Sequence, residues 1–118
     1  MADPKHHRVL FEADNVRIIE VTLPPGEKEL PHVHRLFAAF IIDQFPPFTL
    51  HDCTDATHCD EKGNPAPAPP SDGTLPVLAR AGQEGLHYAA NVGTTPFHAY
   101  RIEYKKLIFQ ATNSRPEN

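Results

Sequence analysis

Residues 26–34 read Gly26-Glu-Lys-Glu-Leu-Pro-His32-Val-His34, and the sequence on either side decides what this stretch can be. Upstream, Val16-Arg-Ile-Ile-Glu-Val-Thr-Leu23 is rich in β-branched residues and stops at Pro24-Pro25-Gly26, the pattern of a strand followed by a turn. Downstream, Leu36 to Ile42 is uninterrupted apolar sequence. Its length and flanking prolines favour a strand buried on both faces over a core helix. In a strand, residues i and i+2 point to the same side, so His32 and His34 can present two imidazoles to one point. Neutral imidazole is the commonest side-chain metal ligand. The plainer alternative is a pair of solvent-facing histidines after a turn. Pro31 before the pair and the apolar run after it place the pair where the chain enters the core.

The rest of the chain extends the same pattern. Proline makes up 13 of 118 residues, about 11%, against a usual ~5%. Proline and glycine together are 19 of 118, about 16%, below the ~25–30% of disordered low-complexity chains. The prolines therefore punctuate a folded, turn-rich protein, and each removes a backbone donor that a long helix would need. Val9-Leu10-Phe11 reads as a short strand before Asp14-Asn15. Phe97 to Tyr104 alternates behind the turn residues Asn91, Gly93 and Pro96. Short strands with polar turns predict an all-β sandwich or barrel with few or no long helices. A length of 118 residues predicts one domain, 1–118, with a core over about 8–110. The segment at about 60–76 holds the tract Asn64-Pro-Ala-Pro-Ala-Pro-Pro-Ser-Asp-Gly73, expected to run as an extended surface loop with no place in a ladder.

Charge and hydropathy exclude some partners. Eleven basic and 15 acidic residues give a net charge of −4, which argues against a nucleic-acid surface. The longest apolar run, 36–42, is far short of the ~20 residues that span a bilayer. Met1–Leu10 carries no apolar segment of the secretory kind, so the cytoplasm is the expected compartment.

A third ligand to join His32 and His34 is sought elsewhere, and His87 is the best candidate. It lies in Gly82-Gln-Glu-Gly85-Leu-His87-Tyr-Ala-Ala-Asn91-Val-Gly93-Thr-Thr-Pro96, between glycine turns and before the last strand. Here the chain resembles the cupin superfamily. Gly26, five residues, then His32-x-His34 is similar to its first motif, G-x5-H-x-H-x3-4-E-x6-G. His87-x3-Asn91 is similar to the end of its second, G-x5-P-x-G-x2-H-x3-N. Residues 8–42 and 80–106 resemble small single-domain bacterial cupins, and the resemblance implies a jelly-roll β-barrel that is commonly a homodimer. The departures are specific. The glutamate of the first motif falls at Ala38 or Ala39, neither of which can ligate a metal. In the second motif Glu84 stands where a glycine is expected, with Gly85 one position late, and Gly82 stands where a proline is expected. Neither Asp43 nor Glu20 has a spacing that marks it as a replacement carboxylate.

Three neutral imidazoles leave a divalent ion with open positions, as in non-haem Fe(II) enzymes that bind substrate and oxygen together. The resemblance implies the same, because cupin thiol dioxygenases and a diketone-cleaving dioxygenase use three histidines without the glutamate. Fe(II) is the expected ion, with Zn, Ni or Mn compatible with the ligand set. Zn(II) there would act as a Lewis acid or carry a hydroxide. The expected function is a metal-binding cupin acting on a small molecule, as a dioxygenase-like enzyme. The alternative is a non-catalytic metal- or ligand-binding cupin with a degenerate site. Phe37, Phe40, Phe45 and Phe48 are candidates for apolar pocket walls.

The other histidines and the two cysteines are read more plainly. His51-Asp-Cys53-Thr-Asp-Ala-Thr-His58-Cys59 invites a zinc reading, but ligands packed within nine residues would strain a closed site. A Cys53–Cys59 disulfide is open in principle, although cytoplasmic thiols normally stay reduced. A polar loop is the expectation. His6 and His7 fall in an N-terminus expected to fray. His98 shares strand parity with Tyr100, Ile102 and Tyr104, and the opposite set is Phe97, Ala99, Arg101 and Glu103. If the first set faces inward, His98 and Tyr100 line the pocket with Phe40. A hydrogen-bonded histidine away from the pocket is the competing role for His98.

Overall fold

The computed structural model describes residues 3–65, 74–82 and 84–105. All the regular structure in them is β. The strands are β1 (His7–Glu12), β2 (Val16–Leu23), β3 (His32–His34), β4 (Ala38–Gln44), β5 (Phe48–Asp55), β6 (His58–Cys59), β7 (Asn64–Pro65), β8 (Val77–Ala81), β9 (Glu84–Asn91) and β10 (Phe97–Tyr104). Every pairing is antiparallel. One sheet has the order β1-β2-β10-β4-β8, and the other runs β3-β9-β5-β6 with β7 also on β5. The last strand thus lies between β2 and β4 in the middle of the first sheet, and the two sheets form a jelly-roll barrel. No helix among the described residues is long and apolar enough to cross a membrane.

Period-two alternation builds the core. In β2, Ile19, Val21 and Leu23 are buried, while Glu20 and Thr22 point out. The register sets Val21 beside Ala99 and Ala99 beside Ile42, so these three share the inner face. Arg101 lies between Ile19 and Phe40 in the same way. The inward set of β10 is therefore Phe97, Ala99, Arg101 and Glu103. His98 and Tyr100 face outward, where His98 hydrogen-bonds Glu20 and Asp43. The strand expected from Leu36 begins two residues later, at Ala38.

Two expectations are corrected on the second sheet. Cys53 and Cys59 are not polar loop side chains but a disulfide that ties β5 to β6. The start of the proline tract does enter a ladder, since Asn64 and Pro65 pair with Leu50 and Thr49. An edge position tolerates proline because its missing N–H is not needed there. The rest of the tract, 66–73, lies outside the described residues. Residues 60–63 fold over the outer face of β5. There His51 is buried and stacks on Tyr88 with ring centres 4.4 Å apart, and its Nδ1 donates to Asp60 O at 2.7 Å. Gly63 permits that approach, because a Cβ there would sit 2.5 Å from His51 Nε2.

Candidate metal centre

The turn at Pro24-Pro25-Gly26 feeds directly onto β9. Gly26 takes φ of +80°, a left-handed conformation that glycine adopts without steric cost. Gly26 N donates to Asn91 O, Asn91 N to Glu27 O and Glu29 N to Ala89 O, so 26–29 run antiparallel to β9. His32 is then paired with His87. Three steps along the first segment, 29 to 32, match two along β9, 89 to 87. The extra residue brings Glu29 and His32 to the same inner face despite their odd spacing. Asn91 fixes the far end of β9: buried, it donates to Leu23 O and Thr95 O.

His32, His34 and His87 come together. One ring nitrogen from each lies within 4.8 Å of those of the other two. His32 Nδ1 donates to Leu30 O at 2.7 Å, and His87 Nδ1 donates to Gly85 O at 2.6 Å. A carbonyl can only accept, so both rings hold their protons on Nδ1 and present Nε2 as the ligand atom. His32 Nε2 and His34 Nε2 are 3.1 Å apart. That spacing suits two nitrogens each ~2.0–2.1 Å from one ion. Burial pushes the pKa of His34 down to about 3, helped by the Arg101 guanidinium and by His32, His87 and His7. His34 is therefore neutral across the physiological range, the state in which imidazole binds metal. The donor set fits a divalent ion.

Two further residues join the site. His7, expected to sit in a frayed terminus, is buried, because its pairing with Val21 turns it inward. Its Nδ1 donates to Asp3 O at 2.9 Å, and its Nε2 is 3.3 Å from Glu29 Oε2. Glu29 is buried as well. Its Oε1 accepts Ala89 N–H at 2.9 Å and lies 3.7 Å from His32 Nε2. His7, Glu29 and His32 form a second group of donors within 4.8 Å of one another. His32 belongs to both groups, and one nitrogen lone pair serves one ion. The two groups could therefore hold one ion between them, and the three-histidine group has a carboxylate alongside. Burial would lower the pKa of His7 and raise that of Glu29. The His7–Glu29 hydrogen bond and the surrounding charges outweigh it, so His7 is raised and Glu29 lowered. The pair is ionic. His6 is buried too, bridging Asp3 Oδ2 at 2.8 Å and Glu27 Oε1 at 2.9 Å, which clamps the N-terminal residues onto 27–30.

The triad opens into a cavity of about 470 Å³. His7, Glu29, His34 and His87 line it beside an apolar wall that includes Val21, Leu23, Phe40, Ile42, Phe45, Phe48 and Phe97. Of the expected wall residues, Phe40, Phe45 and Phe48 are in place and Phe37 is not. His98 and Tyr100 are absent from the lining, as their outward parity requires.

No protein-family model matches the chain, and no curated protein matches it. Solved structures do. A cupin domain from Bordetella pertussis Tohama I is 19% identical with a TM-score of 0.64, covering 85% of this chain and 92% of that one. An RmlC-like cupin family protein with a double-stranded β-helix fold from Methanocaldococcus jannaschii is 18% identical, with a TM-score of 0.52 over 88% of this chain and 84% of that one. A Cupin 2 conserved barrel domain protein from Salinispora arenicola CNS-205 is 12% identical, with a TM-score of 0.53 over 92% and 82%. At these identities the likeness is one of fold, and the fold is that of a small cupin domain.

Proposed function

We propose that this cupin domain binds one divalent metal ion, Fe(II) in the first place, through His32, His34 and His87, and oxidises a small organic molecule in the adjoining cavity. The observation that carries the reading is the convergence of the three ring nitrogens, two of them aimed by Nδ1–H bonds to backbone carbonyls. Three-histidine Fe(II) supplies open positions for a substrate and oxygen together, the chemistry of dioxygenases. Around it the chain does the rest. Phe40, Phe45, Phe48 and Phe97 exclude water from one side of the cavity. The Nδ1–H bonds hold His32 and His87 in one tautomer. Glu29 supplies a fixed negative charge beside His32, kept ionised by His7.

Elemental analysis of the purified protein tests the first half. About one divalent ion per chain is expected, lost in His32→Ala and His87→Ala, and full occupancy in both variants would overturn the reading. Oxygen uptake by Fe(II)-reconstituted protein on thiols, diketones and phenolic acids tests the second. Tight metal without turnover on any of them would leave a binding cupin. The same proposal includes pairing with a second copy through the outer face of the first sheet, where Ile18, Ile41 and Ile102 lie only part-buried. Sedimentation equilibrium reads it directly, and a monomer at micromolar concentration would remove it.

A further inference from the structure

Arg101 stands in the centre of the first sheet and points into the barrel, 1% exposed. A guanidinium carries five N–H donors, and burying it demands partners for them. Nε donates to Glu103 Oε2 at 2.9 Å and Nη2 to Leu36 O at 3.3 Å. The plane lies over the Phe40 ring, 5.1 Å from its centre. Nη1 is buried and has no hydrogen-bond partner among the described residues. Arg101 is also part of the cavity wall, on the side of His34.

Its charge is only partly met. Glu103, its carboxylate partner, is shared with Arg17, whose Nε and Nη2 reach Glu103 Oε1 at 2.8 and 2.7 Å. One carboxylate thus serves two guanidiniums, and the other contact of Arg17, with Glu12, is at 4.0 Å. Glu29, the buried carboxylate in the same wall, is already held by His7 and Ala89 N–H. Arg101 lines the cavity but Nη1 itself is covered, so an acceptor in the cavity meets it only when the guanidinium turns toward that space. The unused donor on a desolvated cation calls for an anionic acceptor, and a carboxylate is the small organic group that matches it. The opposite requirement comes from Phe45, Phe48 and Phe97, which touch one another with ring centres 5.3–6.1 Å apart and present an apolar surface.

We propose that the cavity binds a small carboxylic acid with an apolar body, its carboxylate accepting from Arg101 Nη1 and its body packed on Phe45, Phe48 and Phe97. This assigns a substrate class to the site proposed above. It rests on that reading only for what happens to the bound acid, since carboxylate recognition by Arg101 needs no metal.

The test uses 3-phenylpropanoate and its uncharged amide as probes, titrated calorimetrically at neutral pH into as-purified protein, EDTA-stripped protein and Arg101→Met. The acid is expected to bind about tenfold or more tighter than the amide, the effect of a hydrogen bond to a charged group. The preference should persist after stripping and fall toward unity in Arg101→Met. Equal affinities in the wild type, or no binding of either probe, overturn the proposal. So does a preference that vanishes on stripping but survives in Arg101→Met, because the carboxylate is then on the ion. A preference that persists in a protein holding no metal upholds the proposal while removing the metal reading. Should Arg101→Met fail to fold, the guanidinium ¹⁵N–¹H resonances of Arg101 in the wild type decide: they shift on adding the acid, and unchanged resonances overturn it.

Discussion

Glu29→Gln probes the least expected part of the site. Both ring nitrogens of His7 face atoms that only accept, Asp3 O and the Glu29 carboxylate, so both carry protons and the ring is an imidazolium. The two side chains are 7% and 8% exposed. Removing one member of a buried pair costs about 3–5 kcal/mol when the other must stay charged. Here the cost is smaller. Glutamine keeps the volume and an oxygen for Ala89 N–H, and His7 can shed its Nε2 proton and accept from the new amide. The expected loss is about 1–3 kcal/mol, that of a hydrogen bond to a charged group reduced to a neutral one. Urea unfolding of EDTA-stripped wild type, Glu29→Gln, His7→Gln and the double variant closes a cycle, with an expected coupling of about 1–3 kcal/mol. The sign with pH follows from the raised His7 and lowered Glu29. The wild-type advantage is present while Glu29 is ionised and His7 protonated, and it shrinks as pH rises through the raised pKa of His7. A coupling below about 0.5 kcal/mol, the level of unconnected sites, refutes the ionic pair. So does a coupling that grows toward alkaline pH.

Three other perturbations have definite outcomes. The Glu20 carboxylate, against some burial and with help from Asp43, raises the pKa of His98 above its ordinary 6.5. Its stabilising effect is full below that value and lost as pH rises through the folded pKa, so the Tm gap between wild type and His98→Gln should narrow with pH, and a widening gap contradicts the assignment. The Cys53–Cys59 link closes a loop with a sequence separation of six. Replacing both by Ser should cost about 2 kcal/mol under non-reducing conditions with metal content unchanged, whereas a fall in metal content would revive a zinc site in this hairpin. Gly63→Ala pushes a methyl into His51 and should destabilise by about 1–3 kcal/mol; unaltered unfolding would show that 60–63 does not pack on that ring.

The fold was legible because β-branched runs between prolines mark strands whatever their register. Register was harder, and β10 shows why. Its inward set includes Arg101 and Glu103 and its outward set Tyr100 and Ile102, and the hydropathy of the two faces is too even to choose between them. The inward choice is held by Glu103, which accepts from both Arg17 and Arg101, and Arg17 is 86 residues away from Glu103 in sequence. Nothing local to β10 carries that information. His51 reads as a loop residue in sequence for a related reason: its burial depends on Tyr88 of the neighbouring strand and on 60–63 folding back over it.

The candidate site divides along the same line. His32 and His34 announce themselves because two residues apart on a strand is a shared face, and His87 because it lies in a glycine-bounded segment before the last strand. Glu29 gives no such signal, since three residues from His32 is the wrong parity for an unbroken strand. Only the extra residue against β9 restores it to the inner face. Its stretch, Leu30-Pro31, offers a clue, because proline withholds a ladder donor and favours an irregularity at that point. The alanines at 38 and 39 therefore say that the carboxylate is missing from one position, not from the site. A buried ion pair adds little net stability of its own, and Glu29 Oε1 lies 3.7 Å from His32 Nε2, within reach of the histidine triad.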